Sequence, residues 1–277
     1  MKKWILMITA GLAMAACSSS PKVEKLPDSA DATDEVRKLE ADMNESSNNS
    51  QANVLSPHAW KEASEYLNTA KQRLADGREK SRVLDSVSEG RAWLNKANAH
   101  AEQASNVIPD VMQVRKEAIQ SGAPQYASDE FNAAEKSFRE YTRDREESND
   151  EFGVPNDKRG GFRESYINAQ VTALQNHYLG DARQAMRDAK NKDARTLVPN
   201  LWENAVRSVR NAEGFIAANR NDIGAIEDQS RKATRDAVAL NRLTDEAIAS
   251  KNLSPEQRAL AMEKFKTRNE RLSASLD

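Results

Sequence analysis

Trp60, Ala63, Leu67, Ala70 and Leu74 alternate spacings of three and four, which draws one apolar stripe down one face of a helix. The stripe returns 71 residues on as Phe131, Ala134, Phe138, Tyr141 and Arg145, and 71 further on as Trp202, Ala205, Val209, Ala212 and Ile216. Self-similarity at a fixed period is the mark of a chain built from copies of one helical unit. A stripe that one helix cannot bury alone must be covered by neighbours, so each copy needs packing partners.

The expected fold is all-α: an elongated helical bundle or solenoid of three related units of about 71 residues, packed in the manner of TPR or spectrin repeats. The units cover residues 52–122, 123–193 and 194–277, the last with an additional C-terminal helix, and open on the equivalent Ala52, Ala123 and Ala194. In the first unit Ser56-Pro57 starts a helix that Gly77 stops, a second runs from near Ser81 to before Pro109, and a short third follows from Asp110 to Gln120. In the second unit Ser128 caps the first helix, residues 149–161 form a longer loop, and the next helix starts near Phe162. Gly180-Asp181 stands 71 residues after Pro109-Asp110, so the spacing predicts a helix break and a capping aspartate at both places. In the third unit a helix over about 222–250 precedes a capping box at Ser254-Pro255-Glu256-Gln257. Trp60, Phe131 and Trp202 open the three stripes, which makes them core residues; aromatic anchors for a partner are the competing reading.

With 38% hydrophobic, 30% charged and 5% aromatic residues and a mean hydropathy of −0.81, the chain suits close alanine-mediated helix packing with a modest core. The formal net charge of −2 becomes −4 once Lys2 and Lys3 leave with residues 1–16. That balance argues against a nucleic-acid partner.

Lys2 and Lys3, the apolar run Trp4 to Met14 and the small residues Ala15-Ala16 make residues 1–16 a secretory signal. Met14-Ala15-Ala16-Cys17 resembles the lipobox of bacterial lipoproteins, departing from it by Met in place of the usual Leu. The resemblance implies cleavage before Cys17, covalent lipid on that residue as the one attached group, and tethering without insertion. Ser18 in place of Asp implies sorting to the outer membrane, with the body in the periplasm or, alternatively, on the cell surface. Cys17 is the only cysteine, so no disulfide forms within one chain and thiol catalysis is excluded. Residues 17–51 read as the lipidated cysteine and a flexible polar tether, spanning roughly 30 Å as coil and roughly 110 Å extended. Val36, Leu39 and Met43 allow a short helix from Asp34 to Met43 within it.

No motif names a reaction. His58, His100 and His177 lack a Glu or Asp three residues before them, no His-Glu-x-x-His or Gly-x-Ser-x-Gly occurs, and His58 with Glu62 reads as a surface pair rather than a metal site. Neither a catalytic residue nor a cofactor is therefore assigned. Lys158, Arg159, Gly160 and Gly161 place two cations and free backbone amides in the expected loop; they suit an acidic partner, such as peptidoglycan carboxylates or lipid phosphate, and otherwise form a solvated turn. Arg183, Arg187 and Lys190 read as a solvated helix face.

The lipobox, polar tether and alanine-rich units, with Arg115-Lys116-Glu117-Ala118 leading through Gly122-Ala123-Pro124 into a capped helix, resemble Gram-negative envelope lipoproteins whose helical segments precede an OmpA-like peptidoglycan-binding domain. This chain runs to Asp277 without such a domain. The resemblance implies a non-enzymatic, lipid-anchored spacer or protein-interaction scaffold in the cell envelope, with an envelope protein as partner. An accessory subunit of an envelope assembly or secretion machine, or a lipoprotein contacting peptidoglycan, are the alternatives.

Overall fold

The computed structural model describes residues 20–148, 156–251 and 253–274, and among them the chain forms twelve helices and no strand. In order these are α1 (Ala32–Asn49), α2 (Ala52–Leu55), α3 (Pro57–Ala75), α4 (Lys80–Val107), α5 (Pro109–Gln120), α6 (Ala123–Tyr126), α7 (Ser128–Ser148), α8 (Asn156–Asn191), α9 (Ala194–Leu197), α10 (Pro199–Ala218), α11 (Ile223–Lys251) and α12 (Pro255–Ala274). They sort into two compact units whose division passes through α5, α7 and α8: residues 1–114 with 132–165, and 115–131 with 166–277.

The first unit is built on the α3–α4 hairpin. Its turn ends α3 with Gly77 at φ 63, where the N–H of Arg78 bonds back to the Arg73 carbonyl and that of Gly77 to the Leu74 carbonyl. Leu67 and Ala70 of α3 meet Val83, Val87 and Leu94 of α4, with Trp60 and Trp93 half-buried against them. The second unit packs α8, α10 and α11 around Leu174, Leu179, Val209, Ile216 and Ile226.

Three junctions share one geometry. Gln51, Gly122 and Asp193 hold left-handed φ of 53, 77 and 62, and each begins a four-residue helix. Ser56, Ala127 and Val198 then turn the chain with φ of −138, −144 and −140 into the long α3, α7 and α10. A left-handed φ costs an L-residue about 1 kcal/mol or more, a cost Gly122 avoids and Gln51 and Asp193 bear. Ala52, Ala123 and Ala194 are fully buried just beyond these junctions.

Three expectations are corrected. Residues 32–49 are not tether: they form α1, capped by the Asp31 carboxylate accepting from the Asp34 N–H, and Val36, Leu39 and Met43 are buried against α3 and α4. A Cβ at Gly90 would stand 2.7 Å from Leu39 Cδ2, so that glycine is what lets α1 settle on α4. Glu35 ties α1 to α4 through Arg91 at 2.6 Å, and pairs with Lys38 of its own helix at 2.7 Å. The ordered contacts begin even earlier, where the Leu26 N–H donates to Ser88 Oγ at 3.1 Å.

Second, residues 156–161 are not loop but the opening turns of α8. Third, Gly180 does not interrupt a helix, and no separate short helix follows it: α8 runs unbroken through 36 residues. Proline at 109 lacks the N–H a helix needs, whereas Gly180 supplies one, and the buried Leu179 and Ala182 hold that turn against the core.

If α1 is core, Leu39→Ala should lower the unfolding free energy by about 2–5 kcal/mol, the range for emptying a buried leucine site. Urea denaturation checks this, since a tether residue would change stability by less than about 0.5 kcal/mol.

Candidate functional site

Cys17 and Ser18, the sites of lipidation and sorting, lie outside the described residues. Lys158, Arg159, Gly160 and Gly161 lie in the first turns of α8, and their side chains do not act as one patch. Arg159 donates from Nε to Asp110 Oδ1 at 2.8 Å, and Arg163, one turn on, stands 3.3 Å from Oδ2. Hydrogen bonding to Arg159 holds the Asp110 carboxyl below the usual carboxylate range despite its partial burial. The Lys158 ammonium instead lies 5.2 Å from the centre of the Tyr141 ring, with the Arg145 guanidinium 5.3 Å from the same centre.

Lys158 and Gly161 border an open groove of about 440 Å³ between α7 and α8, whose other walls are Glu140, Tyr141, Asp144 and Phe162. Phe162 is buried edge-on against Phe138 at 5.2 Å and tilted against Tyr141 at 5.3 Å, so the floor is rigid and aromatic. Only the rim carries charge, of both signs. Ser137 and Ser165 also line it, the Ser165 hydroxyl donating to the Gly161 carbonyl at 2.9 Å, and such a groove can bind a polar chain by its edges.

Sequence reasoning missed the most connected polar group of the first unit. Glu146 of α7 has no solvent-exposed side-chain surface, and it accepts from Ser56 Oγ at 2.7 Å, the His58 N–H at 2.9 Å and the Ala59 N–H at 2.8 Å. Ser56, expected to cap α3 itself, donates to this carboxylate from the cap position. One turn earlier Thr142 Oγ1 donates to the Val54 carbonyl, and Arg139 donates to that of Asn53. His100 Nδ1 stands 3.7 Å from Glu146, and burial holds that imidazole below its ordinary pKa, opposed by Glu146 and reinforced by Lys96. Ser56, Glu146 and His100 thus meet, but the fully buried serine faces the carboxylate rather than the imidazole. The arrangement caps a helix; it does not activate a nucleophile. No sequence signal marks it, since Glu146 lies one residue past the α7 stripe inside a charged run.

His58 packs edge-on to Trp93 at 5.8 Å, and among the described residues no group of three or more His, Cys, Asp or Glu is placed to hold a metal. Arg183 is bound by Glu213 and Gln175, and Arg187 by Gln184. Phe131 is buried, while Trp60 and Trp202 are half-buried against core clusters. Among the described residues no helix is long and apolar enough to cross a membrane. Comparison with protein-family models, curated proteins and solved structures finds no match for this chain.

Glu146→Ala would leave a buried hydroxyl and two helix-terminal N–H groups without an acceptor, and should cost about 3–5 kcal/mol by urea denaturation, with Glu146→Gln costing less. Acid should act in two stages. The His100 pKa is lower folded than unfolded, so the unfolded chain binds more protons and stability falls as pH drops through 6.5 towards the folded value. Asp110, also lowered, adds stability that is complete above the ordinary carboxylate value and lost as pH falls through its folded one. In urea midpoints against pH, His100→Gln should remove the first stage alone.

Proposed function

We propose that the chain is a non-enzymatic, lipid-anchored outer-membrane lipoprotein whose helices form three related units and act as a spacer or protein-interaction scaffold in the cell envelope. The observation that carries the repeat reading is the recurrence of one backbone junction at Gln51, Gly122 and Asp193, each followed by a four-residue helix and a long one. Side chains keep the same step: Leu67, Phe138 and Val209 are buried at matching places, as are Ala63, Ala134 and Ala205. Units of this kind stack on their neighbours, giving a solenoid-like body of TPR or spectrin character.

The lipobox-like Met14 to Cys17 supports the anchor, and Ser18 the outer membrane. Only eight residues separate Cys17 from Leu26, a reach of roughly 30 Å at full extension. The helices, rather than a long tether, then set how far the body stands from the bilayer. The body faces the periplasm in this reading, with peptidoglycan or an envelope protein within its range.

The alternative, an accessory subunit of an envelope assembly or secretion machine, draws support from the exposed apolar side chains of Leu260 and Met262 on α12 and Val238 on α11. Both readings require the lipid. Cys17→Ser should abolish incorporation of radiolabelled palmitate and move the protein from the membrane to the soluble fraction; continued membrane attachment without label would sink the anchor. Photo-crosslinking in cells from α7 and α8 then separates the two roles, since a machine subunit captures one protein at fixed stoichiometry.

A further inference from the structure

A second groove, of about 420 Å³, lies within the other unit between α8 and α11. Tyr178 and Asp181 form one wall; Glu227, Ser230, Thr234 and Arg235 lie along one face of α11 at helical spacing. One of its polar groups is buried without a partner, and a second, the Asp181 carboxylate, is exposed and unpaired. Ser230 is only 3% exposed, yet its hydroxyl has no hydrogen-bond partner. Asp181 has neither a hydrogen bond nor an ion pair among the described residues. Of the two arginines at the rim, Arg231 is held by Glu227 at 3.8 Å and by Asp228.

The positions 71 residues earlier show what belongs there. Asp181 corresponds to Asp110, Ser230 to Arg159 and Thr234 to Arg163. In the first unit that aspartate takes both guanidinium groups, Arg159 Nη2 at 2.5 Å and Arg163 Nε at 3.3 Å. The register is secure on either side, because Phe162 and Ala233, Tyr166 and Ala237, and Ala169 and Leu240 are all buried. Serine and threonine thus stand where two guanidinium groups pair with Asp110, and the groove keeps the carboxylate with open space beside it, its own Arg231 and Arg235 lying at the rim.

We propose that this groove binds a single organic cation of the guanidinium or primary ammonium class, held by Asp181 with the hydroxyls of Ser230 and Thr234 beside it. The half-buried Tyr178 forms the wall along which an aliphatic stem or a guanidinium plane lies. Arg235, which has no carboxylate partner among the described residues, repels a second positive charge, so the groove selects one cation flanked by neutral or acidic groups over a polycation. The class of ligand rests on the repeat reading; the groove and its unpaired groups do not.

The test is NMR titration of the full mature chain, following Tyr178 and Asp181, with N-acetyl-arginine amide and its isosteric uncharged counterpart N-acetyl-citrulline amide. The arginine probe should shift both residues saturably, with the citrulline probe at least tenfold weaker. Asp181→Asn should weaken the arginine probe by a similar factor without changing the melting temperature. A terminally blocked pentapeptide with arginine as its one charged residue distinguishes sources: tighter binding than the amide assigns the site to a polypeptide side chain, equal binding to a small cation. Absence of saturable binding, equal affinity for citrulline, or indifference to Asp181→Asn would each overturn the proposal.

Thr234→Arg, and Ser230→Arg with Thr234→Arg, address the repeat equivalence separately. They should occupy the groove, block the probe and shift the Asp181 side-chain carboxyl resonance as a paired guanidinium does. That shift alongside an inert wild-type groove would leave the repeat standing and remove the ligand. An unchanged Asp181 carboxyl resonance in the well-folded single variant would remove the equivalence.

Discussion

A helix that begins inside a protein must find acceptors for its first N–H groups, and the corner between α2 and α3 meets that requirement through a carboxylate supplied from almost ninety residues away. One face of α7, at Arg139, Thr142 and Glu146, takes both kinds of orphan group. The first two donate to carbonyls ending α2, and Glu146 accepts from the N–H groups opening α3. A negative charge at a helix N-terminus is favoured by the helix dipole as well as by hydrogen bonds, which is what allows a carboxylate to be buried here without a fully engaged cation. The consequence reaches beyond the corner. Because α3 carries the surface on which α1 and α4 pack, fixing its start fixes the register of the hairpin and, through Gly90, the seat of Leu39.

That clamp was not legible in sequence, and the reason is physical. Glu146 sits in the run Arg143-Asp144-Arg145-Glu146-Glu147, which carries the composition of a solvated helix end. Periodicity finds apolar faces; it is blind to a polar residue buried by a partner distant in the chain. The same limit applies to α1, whose three apolar residues at spacings of three and four are diluted by polar neighbours until the average resembles a linker. What periodicity does find, it finds well: α3, α4, α10 and α11 fall where the stripes place them, and Ser254 and Gln257 exchange the two hydrogen bonds of the capping box.

Glycine does not always break a helix. Gly160-Gly161 in a charged, proline-containing stretch reads as loop, yet Arg159 and Arg163 bind Asp110 while Phe162 is buried between them, and these three contacts outweigh the propensity cost of about 1 kcal/mol per glycine. Lys158 and Arg159, which looked like neighbours offering charge to a partner, are thereby split between an aromatic ring and a carboxylate. Residues adjacent in a loop share one environment; residues adjacent in a helix point about 100° apart.

Positions 71 residues apart differ in bulk even where the backbone junctions are alike. Phe162 and Tyr166 on α8 match Ala233 and Ala237 on α11, and Tyr141 on α7 matches Ala212 on α10. All six are buried. Alanine at both faces lets helices approach towards the lower end of the usual 8–10 Å range, while aromatic rings hold them towards the upper end. One junction geometry and one stripe are therefore compatible with different side-chain sizes, because the aromatic residues Phe138, Tyr141 and Phe162 face one another and the alanines Ala212, Ala233 and Ala237 share one core cluster. The constraint acts on the sum of facing volumes rather than on any single residue. Polar positions just outside the stripe carry no such sum to satisfy. Side chains of different size and charge fit there, and it is at such positions that Arg159 and Arg163 stand 71 residues before Ser230 and Thr234.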